Sequence, residues 1–437
     1  MGLPMVAHRL RRDLGDAAVI TDPVARRTYE CVGLTPYRCT PGLVVWPEDA
    51  EGVQAAVLAC REAGVPFVAR GSGTGPSGGA LAEAKGALPG TDVGLPQADR
   101  ALPEADGVVI VTGRMRRIIE VDLPNRRAVV EPGVLNLAVS DTVGPTGYFY
   151  APDQSSQRMR SIGGNVAENS GGPHCVKYGF TTQHVSGLEV CTPDGDLVRL
   201  GVGKAVRSPG YDLTGVFIGS EGTLGIATKI VVKLLRAPES VRTILAAFDS
   251  IDRAGAAASA ITTAGVQPAA AEIMDTLAIR AAEAVVDRGY PAGTRAVLIV
   301  ELDGPAVEVE AETAALTALF AGALALRTAD DPAGRAAIWK GHETAVGRIR
   351  RDHPVGSISG ESGVGDHTSA KLPSMFSVDD LATTQDDLAT MQLVRRAFDP
   401  GNRANPGKVF PTPRLCGERS PAALAPCRTG ERIRGAG

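Results

Sequence analysis

Closely spaced histidines and cysteines are missing from this 437-residue chain. Its six histidines stand at positions 8, 174, 184, 342, 353 and 367, and no pair has the tight spacing of a zinc site. The seven cysteines lie far apart, form no Cys-x-x-Cys and are odd in number. A disulfide framework is therefore not expected, and reduced thiols in a cytoplasmic protein are. Neither sign of charge is in excess. The balance of 45 basic against 49 acidic residues leaves −4, which argues against nucleic acid or an anionic membrane as partner. No apolar run approaches the ~18 residues of a membrane span. The opening MGLPMVAHRLRRD lacks the apolar core of a signal peptide.

Glycine and proline, by contrast, are plentiful, at 52 and 30 residues, and predict many turns and loops. The length suffices for two or three domains. Residues 1–39 read as a helical lead-in. Leu43–Pro47 reads as a strand, 50–63 as a helix that Glu48 or Asp49 caps and Gly64 stops, and 65–69 as a second strand. Residues 81–106 carry near-duplicate small-residue pieces and read as a surface insertion. Strands are predicted at 108–111, 118–122 and 127–133, a helix at 135–143, and a hairpin over 185–200 turning at Thr192-Pro193-Asp194-Gly195. From about 240 strands and helices alternate, which predicts a separate α+β unit. The polar residues 417–437 read as a disordered tail.

Three glycine-rich stretches carry the chemistry. The first, GSGTGPSGGA over 71–80, follows a strand. Glycine lets backbone turn tightly and lets a ligand approach the backbone closely. Taken alone, the string fits a flexible turn equally well. It is not a P-loop, because no Gly-Lys-Ser/Thr follows, and no clear acidic ribose contact lies where a Rossmann unit would place one. The second stretch is Ser161-Ile162-Gly163-Gly164-Asn165-Val166-Ala167-Glu168-Asn169-Ser170-Gly171-Gly172, and the third is Gly219-Ser220-Glu221-Gly222-Thr223-Leu224-Gly225-Ile226. Three such loops in one region are hard to assign to turns alone.

Together with Ala151-Pro152-Asp153, Lys177-Tyr178-Gly179 and Asn405-Pro406-Gly407-Lys408, these loops resemble the PCMH-type flavin-binding domain of the vanillyl-alcohol-oxidase superfamily. The branch is that of the glycolate oxidase flavoprotein subunit and the D-lactate and D-2-hydroxy-acid dehydrogenases. The resemblance implies an α+β fold: a two-subdomain FAD-binding domain over 40–236, a shortened, ferredoxin-like cap over 237–398, and a segment 399–416 returning to the flavin. It implies non-covalent FAD. Residues 71–79, among them Gly71, Ser72, Gly73, Thr74, Gly75, Ser77 and Gly78, would wrap the pyrophosphate, and Arg70 just before them would also bind the cofactor. Pro152, Asp153, Ser156, Gly163, Gly164, Asn165, Asn169 and Gly172 would sit by the cofactor. Glu221, Gly225 and Ile226 would hold the adenosine side, and Asn405 would reach toward the flavin ring. Some superfamily members attach flavin through a histidine, which draws attention to His174; the match to the non-covalent branch argues against that role here and leaves a polar loop residue.

The substrate half departs from the family pattern. Relatives carry a His-x-Gly-Asp-Gly-Asn-x-His stretch that binds a divalent metal, and this chain has none. Ile338-Trp339-Lys340 is followed within about twenty residues by Val355-Gly356, as if about 80 residues of the family's cap were absent. Relatives also show Gly-Glu-His-Gly where this chain has Gly360-Glu361-Ser362-Gly363, and an arginine where it has His342. Ser362 takes no proton near neutral pH without a base beside it. Glu361 with His342, His353 or His367 forms a candidate base or metal group; the alternative is a set of exposed loop residues. The expected function is FAD-dependent oxidation of a small 2-hydroxy acid, with electrons leaving through an acceptor or partner subunit rather than NAD. Two other readings stay open: a flavin-binding chain without catalysis, and the FAD-dependent reductase of peptidoglycan precursor synthesis.

Overall fold

The structure is a computed structural model that describes residues 2–33, 38–75, 78–82, 106–153, 157–201, 210–285, 289–352, 390–406 and 408, with backbone only for 345–352. The insertion read at 81–106, the tail 417–437, and Ser77, Ser156, His353, Glu361, Ser362 and His367 fall wholly or almost wholly outside the described residues.

Helices α1 (Leu3–Leu14) and α2 (Pro23–Arg26) lead into the first sheet, built from β1 (Val19–Ile20), β2 (Leu43–Val45), β3 (Phe67–Arg70) and β4 (Val108–Val111) in the order β1-β2-β4-β3. Strands β2 and β3 both run parallel to β4, the arrangement a crossover helix makes possible. That helix is α3 (Ala50–Ala63). Its N-cap Asp49 accepts from Gly52 N at 2.8 Å, and Gly64 ends it in the left-handed region at φ 64°. Val53, Ala56, Val57 and Cys60 recur at helical spacing and are fully buried. Each such valine contributes ~1.5–3 kcal/mol on leaving water.

The second sheet takes β5 (Ile118–Asp122), β6 (Arg127–Val130), β8 (Val185–Cys191), β9 (Leu197–Gly201) and β10 (Ile226–Lys233) in the order β5-β6-β10-β8-β9, all antiparallel; β7 (Tyr148–Phe149) pairs separately with β11 (Leu235–Arg236). Helices α4 (Asn136–Val143), α5 (Ile162–Glu168), α6 (Cys175–Tyr178) and α7 (Leu213–Phe217) lie in its connections. Cys191 and Ile226 of this sheet pack into the same core as Val53, Ala56 and Val57 of α3, so α3 is shared between the two sheets. The hairpin read from Thr192-Pro193-Asp194-Gly195 is the β8–β9 connection.

The third sheet is a βαββαβ unit. Strands β12 (Ser240–Phe248), β13 (Ala270–Met274), β14 (Ala296–Gly304) and β15 (Ala325–Ala329) form an antiparallel sheet in the order β13-β14-β12-β15, the ferredoxin-like arrangement. Helices α8 (Ile251–Thr263) and α10 (Ala306–Leu319) cover one face; α9 (Thr276–Glu283) and α11 (Pro332–Asp352) cover the other. Strand β14 shows why. Ala296, Leu298, Val300 and Leu302 face α8 and α10, while Val297 and Ile299 face α9 and the Trp339 end of α11. Continuing the second set by the strand's period of two gives Glu301 and Asp303, so that face changes from apolar to acidic along its length.

The chain then returns to the first sheet. Ala404 forms a parallel bridge with Phe67; Phe67 N donates to Arg403 O at 2.9 Å, and Asn405 N donates to Phe67 O at 2.7 Å. Asp399 accepts from Ala404 N at 2.8 Å, and Arg395 donates to Ala404 O at 2.8 Å. Asn405 is fully buried in a left-handed conformation at φ 42°. Its amide donates to Gly79 O at 2.7 Å and to Glu221 O at 2.5 Å, which braces two glycine loops against each other. Asn405→Gly keeps the left-handed turn and removes only the amide. It is expected to lower stability by about 1–3 kcal/mol, read as a lower urea midpoint; an unchanged midpoint contradicts the bracing role.

Candidate functional site

The three glycine stretches, separate in sequence, converge on one cleft of about 820 Å³, solvent-open space included. Its wall includes residues 69–75 and Gly79 from the first loop, Arg160, Ser161, Gly163, Gly164, 166–168 and Ser170 from the second, and Glu221, Gly222 and 225–227 from the third, with Thr112, Pro132 and Phe217 between them. Backbone bonds hold the second and third loops together: Gly219 N donates to Val166 O and Glu221 N to Ala167 O, both at 2.8 Å. The first loop is fitted to the other two by its lack of side chains. A Cβ at Gly71 would collide with Ser161 Oγ, and one at Gly79 would stand 2.6 Å from Glu221 Oε2 and 3.0 Å from Glu168 Oε1. Ser161 caps α5 by accepting from Gly164 N, and a Cβ at Gly163 would stand 2.6 Å from Pro132 Cβ. The glycines are therefore the condition for three loops to meet, and the cleft is what remains between them.

Of the residues expected at a cofactor, Gly71, Ser72, Gly73, Thr74, Gly75, Gly163, Gly164, Glu221, Gly225 and Ile226 line the cleft. Gly78, at φ 90°, turns the chain just before Gly79. Asn165 lies behind the wall, fully buried, with neither amide atom hydrogen-bonded. Asn169 uses its oxygen on Thr182 N at 3.0 Å, and Asn405 spends its amide on bracing the loops.

Arg70 also lines the cleft, with its guanidinium packed against Gly73 of the first loop. It donates to Tyr29 O at 3.3 Å and Cys31 O at 2.9 Å, fastening the lead-in segment. Burial pushes its pKa down. Arg160, inconspicuous in the sequence, is the other buried arginine on the wall, within reach of Ser170 Oγ at 3.3 Å. Its only sequence signal is its place directly before the Ser161 cap. Glu168 is equally inconspicuous, because a glutamate at the end of a short helix looks like any solvated charge.

Pro152, Asp153 and Gly172 lie at a second place, where the second loop runs on toward the third sheet. Pro152 O accepts from Asn136 Nδ2 at 2.8 Å, and a Cβ at Gly172 would stand 2.6 Å from Asp153 O. The Asp153 carboxylate is turned to His174, its Oδ2 2.5 Å from Nδ1. His174 Nε2 lies 2.9 Å from Glu301 Oε1 on β14. Both ring nitrogens of His174 thus face carboxylates, and neither is free for a covalent bond to flavin. Trp339 Nε1 donates to Glu301 Oε2 at 2.8 Å. His342 stands one turn on, its ring 6.0 Å from the Trp339 ring and its Nε2 3.7 Å from Glu272 Oε2. Burial pushes the His342 pKa down from its ordinary value, which favours the neutral ring. Among the described residues no group of three or more His, Cys, Asp or Glu side chains could hold a metal ion, and Glu361 lies outside them.

Residues 41–88 and 90–201 match the FAD binding domain family, and residues 237–355 and 352–409 match the FAD linked oxidases C-terminal domain family. The glycolate oxidase subunit GlcD of Escherichia coli (strain K12) is 37% identical over 466 aligned positions, covering 89% of this chain and 88% of the relative. A D-lactate dehydrogenase of Anaerostipes hadrus is 30% identical, covering 69% of this chain and 61% of that one. The crystal structure of p-cresol methylhydroxylase with substrate bound aligns over 92% of this chain and 96% of its own, with a TM-score of 0.67 at 16% identity, a likeness of fold. The described cleft fits the cofactor these families are named for. Its walls exclude side chains where a pyrophosphate needs close backbone, and a buried arginine and unbonded buried amide stand beside it. The chain belongs to the family of FAD-linked oxidases that includes the glycolate oxidase subunit GlcD.

Proposed function

We propose that the protein is an FAD-linked dehydrogenase of a small 2-hydroxy acid, of the glycolate or D-lactate type. The observation that carries this reading is the convergence of three glycine loops on one cleft in a chain related over 89% of its length to a glycolate oxidase subunit. When bound, FAD supplies the acceptor for the hydride that leaves C2 of the substrate. The chain's residues do the rest. Arg160 meets the pyrophosphate charge, and the glycines of 71–75 bring backbone to it. Glu168 and Glu221, whose carboxylates come together against Gly79, suit the hydroxyl and amino donors of the adenosine half. His342, which burial drives toward its neutral form, takes the hydroxyl proton as C2 loses its hydride, leaving a 2-oxo acid.

No helix among the described residues is long and apolar enough to cross a membrane. Among the described residues Cys31, Cys60 and Cys191 are free thiols, in keeping with a cytoplasmic location. GlcD is named as a subunit, and this chain is read in the same way: its electrons pass to a partner subunit or another acceptor.

A second reading has an observation of its own. The C-terminal family matches in two pieces that meet at 352–355. The alignment to GlcD runs over 466 positions but takes in only 89% of this 437-residue chain, about 389 residues, so about 77 positions of the relative have no counterpart here. Both support a shortened cap and, with it, a flavin-binding chain that needs a partner to complete its substrate site.

An anaerobic visible spectrum of the FAD-loaded protein separates the readings. Bleaching by glycolate, D-lactate or D-2-hydroxyglutarate is expected. A band that only dithionite bleaches favours the incomplete site, and bleaching by NADPH alone overturns both. With a bleaching acid in hand, His342→Gln is expected to slow reduction by about 10²-fold. It should also abolish the rise in kcat/KM that His342 deprotonation produces below pH 6.5, the ordinary value from which burial lowers this ring. Arg160→Leu is expected to weaken FAD binding roughly 10- to 100-fold, the worth of a charge-assisted hydrogen bond, measured by quenching of flavin fluorescence; unchanged affinity removes Arg160 from the pyrophosphate site.

A further inference from the structure

His174 sits where the FAD-binding part meets the third sheet, and no step of the proposed reaction uses its charge. Ser170 lines the cleft, and His174 follows it four residues later in the same loop. Its Nδ1 lies 2.5 Å from Asp153 Oδ2 and its Nε2 2.9 Å from Glu301 Oε1. An ionised carboxylate accepts hydrogen bonds and donates none, so both contacts are satisfied together only when both ring nitrogens carry protons. The second bond of this seam has the same origin. Lys177 bonds the carboxylate and carbonyl of Asp303, and Tyr178 Oη donates to the same carboxylate at 2.5 Å. Residues 174 and 177 share one face of the α6 turn by helical period, and 301 and 303 share one face of β14 by strand period. Two cations on a helical turn are thereby matched to two carboxylates on a strand.

Glu301 passes the contact on. Its Oε2 accepts from Thr243 Oγ1 at 2.5 Å and from Trp339 Nε1 at 2.8 Å. We propose that His174 is the positioning residue of this seam: as an imidazolium it binds Asp153 and Glu301 at once, and through Glu301 it fixes Trp339 and the turn of α11 that carries His342. The consequence for turnover rests on the proposed hydroxy-acid oxidation; the seam itself does not.

The charged and titratable groups around the ring are Asp153 before it, Lys177 and Tyr178 beside it, Glu301 and Asp303 on β14, and Glu272 of β13 with His342 beyond the indole. Burial alone would lower the His174 pKa, but Asp153 and Glu301 outweigh it and hold the ring at about 10. Burial alone would raise Glu301, but the bonds from His174, Thr243 and Trp339 hold it at about 2. The seam's imidazolium contribution is therefore complete below the ordinary 6.5, declines above it, and is gone once pH passes about 10. On the acid side the Glu301 contribution is complete above its ordinary 4.5 and is lost as pH falls through about 2.

Two spectroscopic readings of the full-length, FAD-loaded protein test this without substrate. In nitrogen-15 histidine spectra at about pH 8.5, where ordinary imidazoles are neutral, one of the six histidines is expected to remain doubly protonated. That signal should vanish in His174→Leu. It should become a neutral ring in Glu301→Gln, whose amide donates to Nε2 while its oxygen still accepts from Trp339. The chain has two tryptophans, so Trp46→Phe leaves Trp339 as the sole emitter. In that background His174→Leu is expected to shift Trp339 emission to the red at pH 7, and Glu301→Gln to leave it in place. With a bleaching acid, His174→Leu should lower kcat/KM by roughly tenfold or more at unchanged FAD content. The absence of a doubly protonated histidine at that pH overturns the proposal, and so does unaltered Trp339 emission in His174→Leu. If His174→Leu does not fold, Glu301→Gln still decides: a histidine that stays doubly protonated in it overturns the proposal. Intact spectroscopy with no bleaching by any acid, in parent and variants alike, counts against the hydroxy-acid reading and not against the seam.

Discussion

The backbone of Phe67 is the point on which the site depends. Strand β3 delivers the first glycine loop, and the edge of β3 is closed by residues 403–405 returning from more than three hundred residues away. An open edge there would expose unpaired backbone next to the cleft. The return segment satisfies it and, through the Asn405 amide, ties the first glycine loop to the third. The second loop is tied to the third by backbone bonds from Gly219 and Glu221. Each loop is weak alone, being rich in glycine and poor in side-chain contacts. Together they are held from three directions, which is how a wall with so little side chain stays in place.

Much of this is legible in the sequence because it is local. The cap at Asp49, the stop at Gly64, the strand 108–111 and the hairpin turning at Thr192–Gly195 follow from a few neighbouring residues. The glycine loops are legible as a group, since three such stretches in one region exceed what chain reversal alone requires. What stays hidden depends on partners far away in sequence. Arg70 reads as a cofactor residue beside a glycine loop, and nothing local says that its guanidinium also bonds the backbone of Tyr29 and Cys31. Asp153 reads as a cofactor contact, yet its carboxylate belongs to His174. Seven residues containing Gly163 and Gly164 form α5, where propensity favours a loop; the Ser161 cap and packing of Ile162 and Val166 override it. The acidic end of β14 is plain in VELDG, but nothing local says that it faces another domain.

The proposed substrate chemistry falls at that junction rather than in the cofactor cleft. The family's histidine-rich metal stretch is absent, and the residues that remain are differently built: a His342 that burial drives toward its neutral form, a tryptophan held by a carboxylate, and a second histidine between two carboxylates. Two histidines in one neighbourhood are thus driven in opposite directions, one by burial and one by its partners. A pair of titratable groups pushed apart by their surroundings is the usual signature of acid and base work, although here the charged member is bound on both sides and acts by position.

Three glycine loops are proposed to hold FAD without a covalent bond. The most direct test is the flavin content of the purified chain, followed by denaturation and ultrafiltration. One FAD per chain, recovered completely in the filtrate, is the predicted result. A colourless protein that takes up no added FAD, or flavin that stays with the denatured chain, contradicts the account.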